Sequence, residues 1–246
     1  MTTTPVQRCT TIRERYYPRA EWPGIQYENA VMRRHNGDGV LLELGCGREA
    51  KRLKRMAQAF ARGVGIDLEV AGRYTATDHA RLIHGDGHCI ALQDACVDVV
   101  AMANVAEHLE RPAETFAECR RVLKPGGRLV VMTVNQWFPP IAAARLMPHS
   151  LRQIANRVAS GTAHEDTFPA YYRANTTQAL KRAAHDAGFT VDELRYMPHH
   201  PHYLMFSTIA YRAGILLERV IRPIEGLQHM ILGVFNKPID RAEATQ

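Results

Sequence analysis

Apolar and polar positions along this chain fall into blocks whose period switches between that of a buried strand and that of a helix. Val40-Leu41-Leu42-Glu43-Leu44 is a nearly continuous apolar run, as a strand covered on both faces requires. It is preceded by a helical stretch from about Gln26 to His35 and the Gly37-Asp-Gly turn. After Gly45-Cys46-Gly47, residues Glu49 to Arg62 place Leu53, Met56, Ala57 and Phe60 on one helical stripe. The pattern then predicts a strand over 63–67, a helix over 70–80, a strand over 81–84 closed by Gly85-Asp86-Gly87, and a strand over 97–103. Pro112 opens a helix through Leu123, Pro125-Gly126-Gly127 stops it, and a fifth strand runs from Arg128 to Val134. Strands alternating with helices in this way predict βαβ units and a parallel sheet with both faces covered.

The rhythm breaks from Gln136 to Thr176, which holds Pro139-Pro140, a helix around 142–158 and a polar-aromatic run from His164 to Asn175. This stretch reads as an insertion over the sheet edge. A helix over 177–187, a strand over 190–196, an apolar helix over 203–221 and a last strand over 230–235 complete the order. One domain is expected over 1–246. Its parts would be N-terminal lid and helices (1–36), cofactor-binding core (37–135), inserted substrate cap (136–176), and C-terminal helices and last strands (177–246).

Ligands of open parallel sheets bind at the carboxyl ends of the strands. At Glu43-Leu-Gly-Cys-Gly, glycine lets the backbone turn tightly and approach a ligand. Asp67 ends the second strand, where a carboxylate can accept both hydroxyls of a ribose. Asp86, after the third, can accept from the exocyclic amine of an adenine, and Asn104 and Glu107-His108 follow the fourth. Singly, each aspartate could equally be a helix cap. Jointly, the spacing describes an adenosine site. A rival reading stands beside it: Gly45-x-Gly47-x-x-Ala50 with Asp67 also satisfies a dinucleotide fingerprint, so an NAD-dependent dehydrogenase is an alternative, as is a non-catalytic cofactor-binding protein. Against the dinucleotide stands Glu43, whose charge would repel a pyrophosphate but favour a sulfonium and an ammonium.

Val40 to Gly47, Gly65-Ile-Asp-Leu, Gly85-Asp-Gly, Asp98-Val-Val, Val105-Ala-Glu-His-Leu and Leu123-Lys-Pro-Gly-Gly-Arg-Leu-Val-Val together resemble the ordered motifs of class I S-adenosylmethionine-dependent methyltransferases. The resemblance implies an α/β fold, a Rossmann-like, doubly wound, mostly parallel seven-stranded sheet with an antiparallel last strand, and a helical cap inserted after strand five. It implies S-adenosylmethionine as cofactor and S-adenosylhomocysteine as product. The glycine turn (Glu43, Gly45, Cys46, Gly47) would meet the methionyl part, Asp67 the ribose, Asp86 and Gly87 the adenine, and Asn104 the methionyl amine, with Leu68 also among the cofactor-binding residues. The sequence departs from the common pattern in lacking a third glycine, since Arg48, Glu49 and Ala50 follow Gly47.

Composition adds exclusions. With 46% hydrophobic, 23% charged and 7% aromatic residues, the chain has the make-up of a globular domain, not of a fibrous or disordered protein. Five Cys without a Cys-x-x-Cys signal neither a disulfide framework nor a structural zinc site, and fit reduced thiols in a cytoplasmic protein. The net charge of +6 is dispersed, with 26 Arg against 5 Lys, so no nucleic-acid partner is expected. No secretory signal is expected, and Tyr203 to Leu217 is too short to cross a bilayer, so integral membrane association is not expected either. The segment up to Ile224 could still lie on a membrane surface carrying a lipid or quinone substrate. The oligomeric state is open, a homodimer included.

The expected acceptor is a small molecule, with secondary metabolites as one class and O- or N-methylation undecided. His108 is the first candidate for a general base, because it stands after the fourth strand and an imidazole can both take and give a proton. His164, with Glu165 and Asp166, is the second, and Tyr171, Tyr172 and Arg173 are candidate pocket residues. Tyr16, Tyr17, Arg19 and Trp22 are candidates for a lid. His199-His200-Pro201-His202 looks like a metal-ligand run only superficially, with no Cys or carboxylate near it, and no metal site is expected.

Overall fold

The computed structural model describes residues 4–70, 79–147 and 168–239. Seven strands form one sheet in the spatial order β3-β2-β1-β4-β5-β7-β6: β1 (Val40–Leu44), β2 (Arg62–Asp67), β3 (Ala80–His84), β4 (Val97–Ala103), β5 (Leu123–Val134), β6 (Thr190–Met197) and β7 (Met230–Asn236). β1 pairs in parallel with β2 and β4, β2 with β3, and β4 with β5. β7 runs the other way: Gly126 N–H donates to the Lys237 carbonyl at 3.0 Å while Lys237 N–H donates to the Gly127 carbonyl at 2.8 Å, two residues against one as in an antiparallel pair with a bulge. The α/β fold class and its antiparallel last strand are therefore as the sequence implied.

The described helices are α1 (Pro5–Tyr16), α2 (Pro23–Met32), α3 (Lys51–Met56), α4 (Pro112–Val122), α5 (Pro139–Leu146), α6 (Thr177–Asp186) and α7 (Thr208–Ile221). The chain groups into two compact units. One holds residues 27–133, 170–195 and 231–246, and with them most of the sheet. Its core is the strand interior, where Leu41, Leu42, Val99, Val100, Leu129, Val130 and Leu232 are fully buried. That is why these strands read as unbroken apolar runs rather than alternating ones.

The other unit holds residues 1–26, 134–169 and 196–230. Its α1 starts on a capping box, Thr4 accepting from Gln7 N–H and Gln7 Oε1 accepting from Thr4 N–H. Cys9, Tyr211 and Ile215 are its buried centre, with Ile12, Tyr17, Leu204 and Met205 packed around them. α7 turns Tyr211, Ile215 and Ile221 inward and leaves Ile209, Leu216 and Val220 exposed.

Several boundaries differ from those expected, each for a local reason. Pro125-Gly126-Gly127 does not separate α4 from β5; it lies inside β5 as an irregularity. Val97 faces Leu123 and Val99 faces Arg128, so the extra residues bulge out of the ladder. Asp98 holds that bulge by accepting from Lys124 Nζ at 2.8 Å and from Val40 N–H at 2.7 Å. The helix expected over 49–62 is the short α3 followed by a 3-10 turn at Ala57–Ala59. The long apolar helix begins at Thr208, because Ser207 caps it, and is preceded by a separate 3-10 turn at His202–Leu204. The expected helix over 70–80 and the later part of that over 142–158 lie mostly outside the described residues.

Candidate cofactor site

Strand register assembles the candidate residues. Leu44 is level with Ile66 on one side and with Met102 on the other, and Asp67 is level with His84. The residues that follow, Gly45, Asp67 to Leu68, Gly85 to Gly87 and Asn104, therefore emerge at one edge of four adjacent strands. Hydrogen bonds tie these ends together. Gly45 N–H donates to the Ile66 carbonyl at 2.8 Å, Gly85 N–H to the Asp67 carbonyl at 3.2 Å, and Asn104 N–H to the Met132 carbonyl at 2.9 Å.

Both turn glycines have φ near +69°. At Gly45 a Cβ would also stand 2.3 Å from Val105 Cγ2, so the end of β4 closes directly over the turn. At Gly47 nothing among the described residues lies within 4 Å of where a Cβ would be, which leaves them open on that side of the turn. Asp67 organises the loop: its Oδ2 accepts from Gly47 N–H and its Oδ1 from Glu69 N–H, each at 2.8 Å. Each carboxylate oxygen keeps a further lone pair for a ligand. Leu68 beside it is exposed, and Cys46 is buried. Burial first, then Asp67 and Glu43, pushes the Cys46 thiol up to about 12, so it stays a packed thiol.

Asp86 is exposed and accepts from His88 N–H at 2.9 Å and from the His88 ring at 2.7 Å. Burial works to raise its pKa, but the His88 contacts outweigh that and hold it below the usual carboxylate value. A Cβ placed on Gly87 would be in ordinary contact with Thr115 and Leu44. Asn104 is exposed with φ +57°, a left-handed conformation that Asn tolerates better than most residues. His108 is half-buried on the 3-10 turn Ala106–His108. His164, with Glu165 and Asp166, lies outside the described residues.

Glu43 is 1% exposed and its Oε2 has no hydrogen-bond partner among the described residues. Burial pushes its pKa up to about 7, with Arg52 the largest opposing influence. The side chains around it were not legible as a site. Tyr27 from α2 is fully buried with its hydroxyl unpaired, Arg52 lies over the Tyr27 ring, and Glu28 pairs with Arg55. A second buried polar chain was also missed. Glu107 accepts from Thr133 Oγ1 at 2.8 Å, and Thr133 Oγ1 accepts from Asn175 Nδ2 at 2.7 Å. The Glu107 carbonyl accepts from Tyr171 and Tyr172 N–H. Burial raises the Glu107 carboxyl's pKa, while its backbone and Thr133 hydrogen bonds oppose the shift. This chain fastens the segment at 171–175 to the end of β4; Glu107 and Asn175 are 68 residues apart in the sequence, so no local pattern signals it.

The fold is α/β, with the candidate residues gathered at the carboxyl ends of four adjacent strands. The methyltransferase domain family matches residues 42–131, the stretch that carries all the positions above from Glu43 to His108 except those in the later insertion. A probable S-adenosylmethionine-dependent methyltransferase of Mycolicibacterium smegmatis is 34% identical over 149 residues, covering 54% of this chain and 56% of that one. The chain spans about half the length of this curated relative. Among solved structures, geranyl diphosphate C-methyltransferase from Streptomyces coelicolor, in complex with Mg2+, geranyl diphosphate and S-adenosylhomocysteine, aligns with a TM-score of 0.57 at 18% identity over 86% of this chain and 76% of that one. The [4+2]-cyclase SpnF aligns with a TM-score of 0.59 at 17% identity over 97% and 98%. Residues 42–131 thus match a methyltransferase domain, and S-adenosylmethionine is the cofactor named for the Mycolicibacterium smegmatis relative.

The residues present fit that cofactor. The open left-handed turn at Gly47, the spare lone pairs of Asp67 and the orphaned buried Oε2 of Glu43 suit, in turn, close backbone approach, a pair of hydroxyls and a cationic group. A dinucleotide would bring a pyrophosphate toward the buried carboxyl of Glu43, which neither the charge nor the family match favours.

Proposed function

We propose that this chain transfers a methyl group from S-adenosylmethionine to an oxygen or nitrogen atom of a small-molecule acceptor, secondary metabolites being one class. The observation that carries the reading is the alignment of the Gly45–Gly47 turn, Asp67, Asp86 and Asn104 at the ends of four hydrogen-bonded neighbours in one sheet. A relative named as a ubiquinone biosynthesis O-methyltransferase, from Maricaulis maris, supports an O-acceptor; it is 32% identical over 112 residues. When bound, the cofactor supplies a methyl group on a positively charged sulfur. In this reading the glycine turn admits the methionyl chain, Asp67 accepts from the ribose hydroxyls, Leu68 covers an adenine face, Asp86 and Gly87 meet the adenine edge, and Asn104 meets the methionyl amine. Displacement from a sulfonium needs an in-line nucleophile and exclusion of water more than it needs acid–base help.

A hydroxyl acceptor must also lose a proton, and His108 is the group assigned to take it, with His164 in the insertion as the second. The small cavity between Tyr17, Ile215 and Glu218 has a volume of about 20 Å³, room for a water and not for an acceptor. His108→Ala is expected to lower kcat about 100-fold or more, with the affinity for S-adenosylhomocysteine unchanged within error. A pH–rate profile that is the same for both proteins would remove His108 from this role.

Glu43 gives the reading a pH signature. Its proton is held up to about pH 7 in the folded chain because burial penalises the charge. A cation bound beside it favours the carboxylate and lowers its pKa, so binding expels a proton wherever Glu43 is protonated beforehand. Affinity for S-adenosylmethionine is therefore expected to rise as pH increases through about 7 and to level off above it. In Glu43→Gln the slope should vanish. Calorimetric titration in buffers of different ionisation enthalpy reads the proton directly, and equal heats across buffers near pH 6.5 would place Glu43 away from the cofactor.

The reaction itself is tested by incubating the chain with S-adenosylmethionine and a panel of small phenols, alcohols and amines, and following S-adenosylhomocysteine by mass spectrometry. Saturable cofactor binding with no turnover on any acceptor class would favour a chain that binds the cofactor without transferring the methyl group.

A further inference from the structure

Three imidazoles from two separate stretches converge in the unit that contains α1 and α7. His199 and His202 come from the turn after β6, and His229 from the residue before β7, 27 positions further on. Each offers a ring nitrogen, and the three nitrogens lie within 4.8 Å of one another. The ring centroids are 5.0 Å apart for His199 and His202, 5.1 Å for His199 and His229, and 5.9 Å for His202 and His229.

Packing of aromatic rings alone would explain such a cluster if every nitrogen were satisfied, and one is not. His229 is 4% exposed and its Nδ1 has no hydrogen-bond partner among the described residues. It is held in place by the Phe138 ring stacked on it at 4.3 Å and 11°. A buried polar nitrogen left unpaired calls for an explanation, and a missing ligand is one. His199 supplies the second sign. Its Nδ1 lies 2.7 Å from the His200 carbonyl, which can only accept, so Nδ1 carries the proton and Nε2 presents its lone pair. A ring N–H donated to a backbone carbonyl is the usual way in which a metal-bound histidine is oriented.

We infer that His199, His202 and His229 form a binding site for a late first-row divalent cation, Zn2+ foremost, with a fourth position open to water or to a donor atom of a bound molecule. Imidazole-only ligation suits Zn2+, Cu2+, Ni2+ and Co2+ and not Mg2+ or Ca2+. Zn–N bonds of about 2.0–2.1 Å place tetrahedral ligand atoms roughly 3.3 Å apart. The nitrogens must therefore close in, and the exposed His202, on its short 3-10 turn, is the ring free to do so. The site does not depend on the methyl-transfer reading.

The test uses the full chain without a histidine tag, stripped with EDTA and dialysed against Zn2+, with bound metal measured by mass spectrometry and Co2+ as a spectroscopic probe. One Zn2+ per chain is expected at micromolar free metal or below, with the strong visible absorption of four- or five-coordinate Co2+. Mg2+ in large excess should not compete. His202→Ala changes an exposed side chain and should leave circular dichroism and the melting point of the metal-free protein as they were. It should weaken Zn2+ binding on the order of a hundredfold or more, at or beyond what changes outside the ligand shell cost. His199→Gln should do the same. His185→Ala, on the exposed face of α6, should bind metal as the parent does. The proposal is overturned if no saturable Zn2+ binding occurs at micromolar metal. It is equally overturned if binding survives in both His202→Ala and His199→Gln, which would mean adventitious surface binding.

Discussion

Asp67→Ala is expected to weaken S-adenosylhomocysteine binding by about 30- to 150-fold, or about 2 to 3 kcal/mol, the range for losing hydrogen bonds to a charged acceptor. Two effects combine in that figure, and they are separable. The carboxylate is the group assigned to the ribose, and it also holds the loop, since Gly47 N–H and Glu69 N–H both donate to it at 2.8 Å. Removing it frees those two amides. Loop anchoring alone would show as a lower melting point and faster amide exchange at Gly47, with little change in affinity once the ligand reorders the loop. A ribose role shows as a loss that persists with S-adenosylhomocysteine and is much smaller for methionine, which has no ribose. Calorimetry with both ligands separates them. Affinity for S-adenosylhomocysteine within twofold of the parent would move the ribose away from β2.

Gly45→Ala is expected to have the largest effect on stability of any single-methyl change in the site. The backbone there has φ +69°, which costs an L-residue about 1–2 kcal/mol. The new Cβ would stand 2.3 Å from Val105 Cγ2. Relieving that clash requires β4's end to move, and overpacking of this kind costs about 1–3 kcal/mol. The sum, about 2–5 kcal/mol, corresponds to a fall in melting point of roughly 5–15 °C for a chain of this size. The same substitution at Gly47 meets open space, so it should pay the backbone cost alone and leave Val105 undisturbed. Equal destabilisation by Gly45→Ala and Gly47→Ala would show that Val105 gives way freely. Val105→Ala combined with Gly45→Ala should then recover part of the loss, because the clash and not the dihedral is what the smaller side chain removes.

The sheet was legible because a strand buried on both faces has to be apolar along its whole length. β1 and β4 were placed residue for residue from Val40 to Leu44 and from Val97 to Ala103 on that ground. The candidate cofactor residues were placed for a related reason: each sits at or just after a strand end, so finding the strand finds the residue. Gly45, Asp67, Asp86 and Asn104 needed only local pattern, and register then brought them level. β5 shows where local pattern misleads. Pro-Gly-Gly signals a break in any isolated segment, yet here Asp98, a residue of the neighbouring strand, binds Lys124 and Val40 and carries the ladder past it.

What the sequence by itself determined, then, is the order of strands and helices and the carboxyl-end residues, because each depends on neighbours a few positions away. Only the tertiary structure decided which distant polar groups meet. Glu107, Thr133 and Asn175 form one buried chain from three elements. His229 joins His199 and His202 across 27 residues, and Tyr27 on α2 comes within electrostatic reach of Glu43 on β1. Such contacts carry no period and no spacing rule, since they are set by where the packed backbone brings two side chains once the strands have paired.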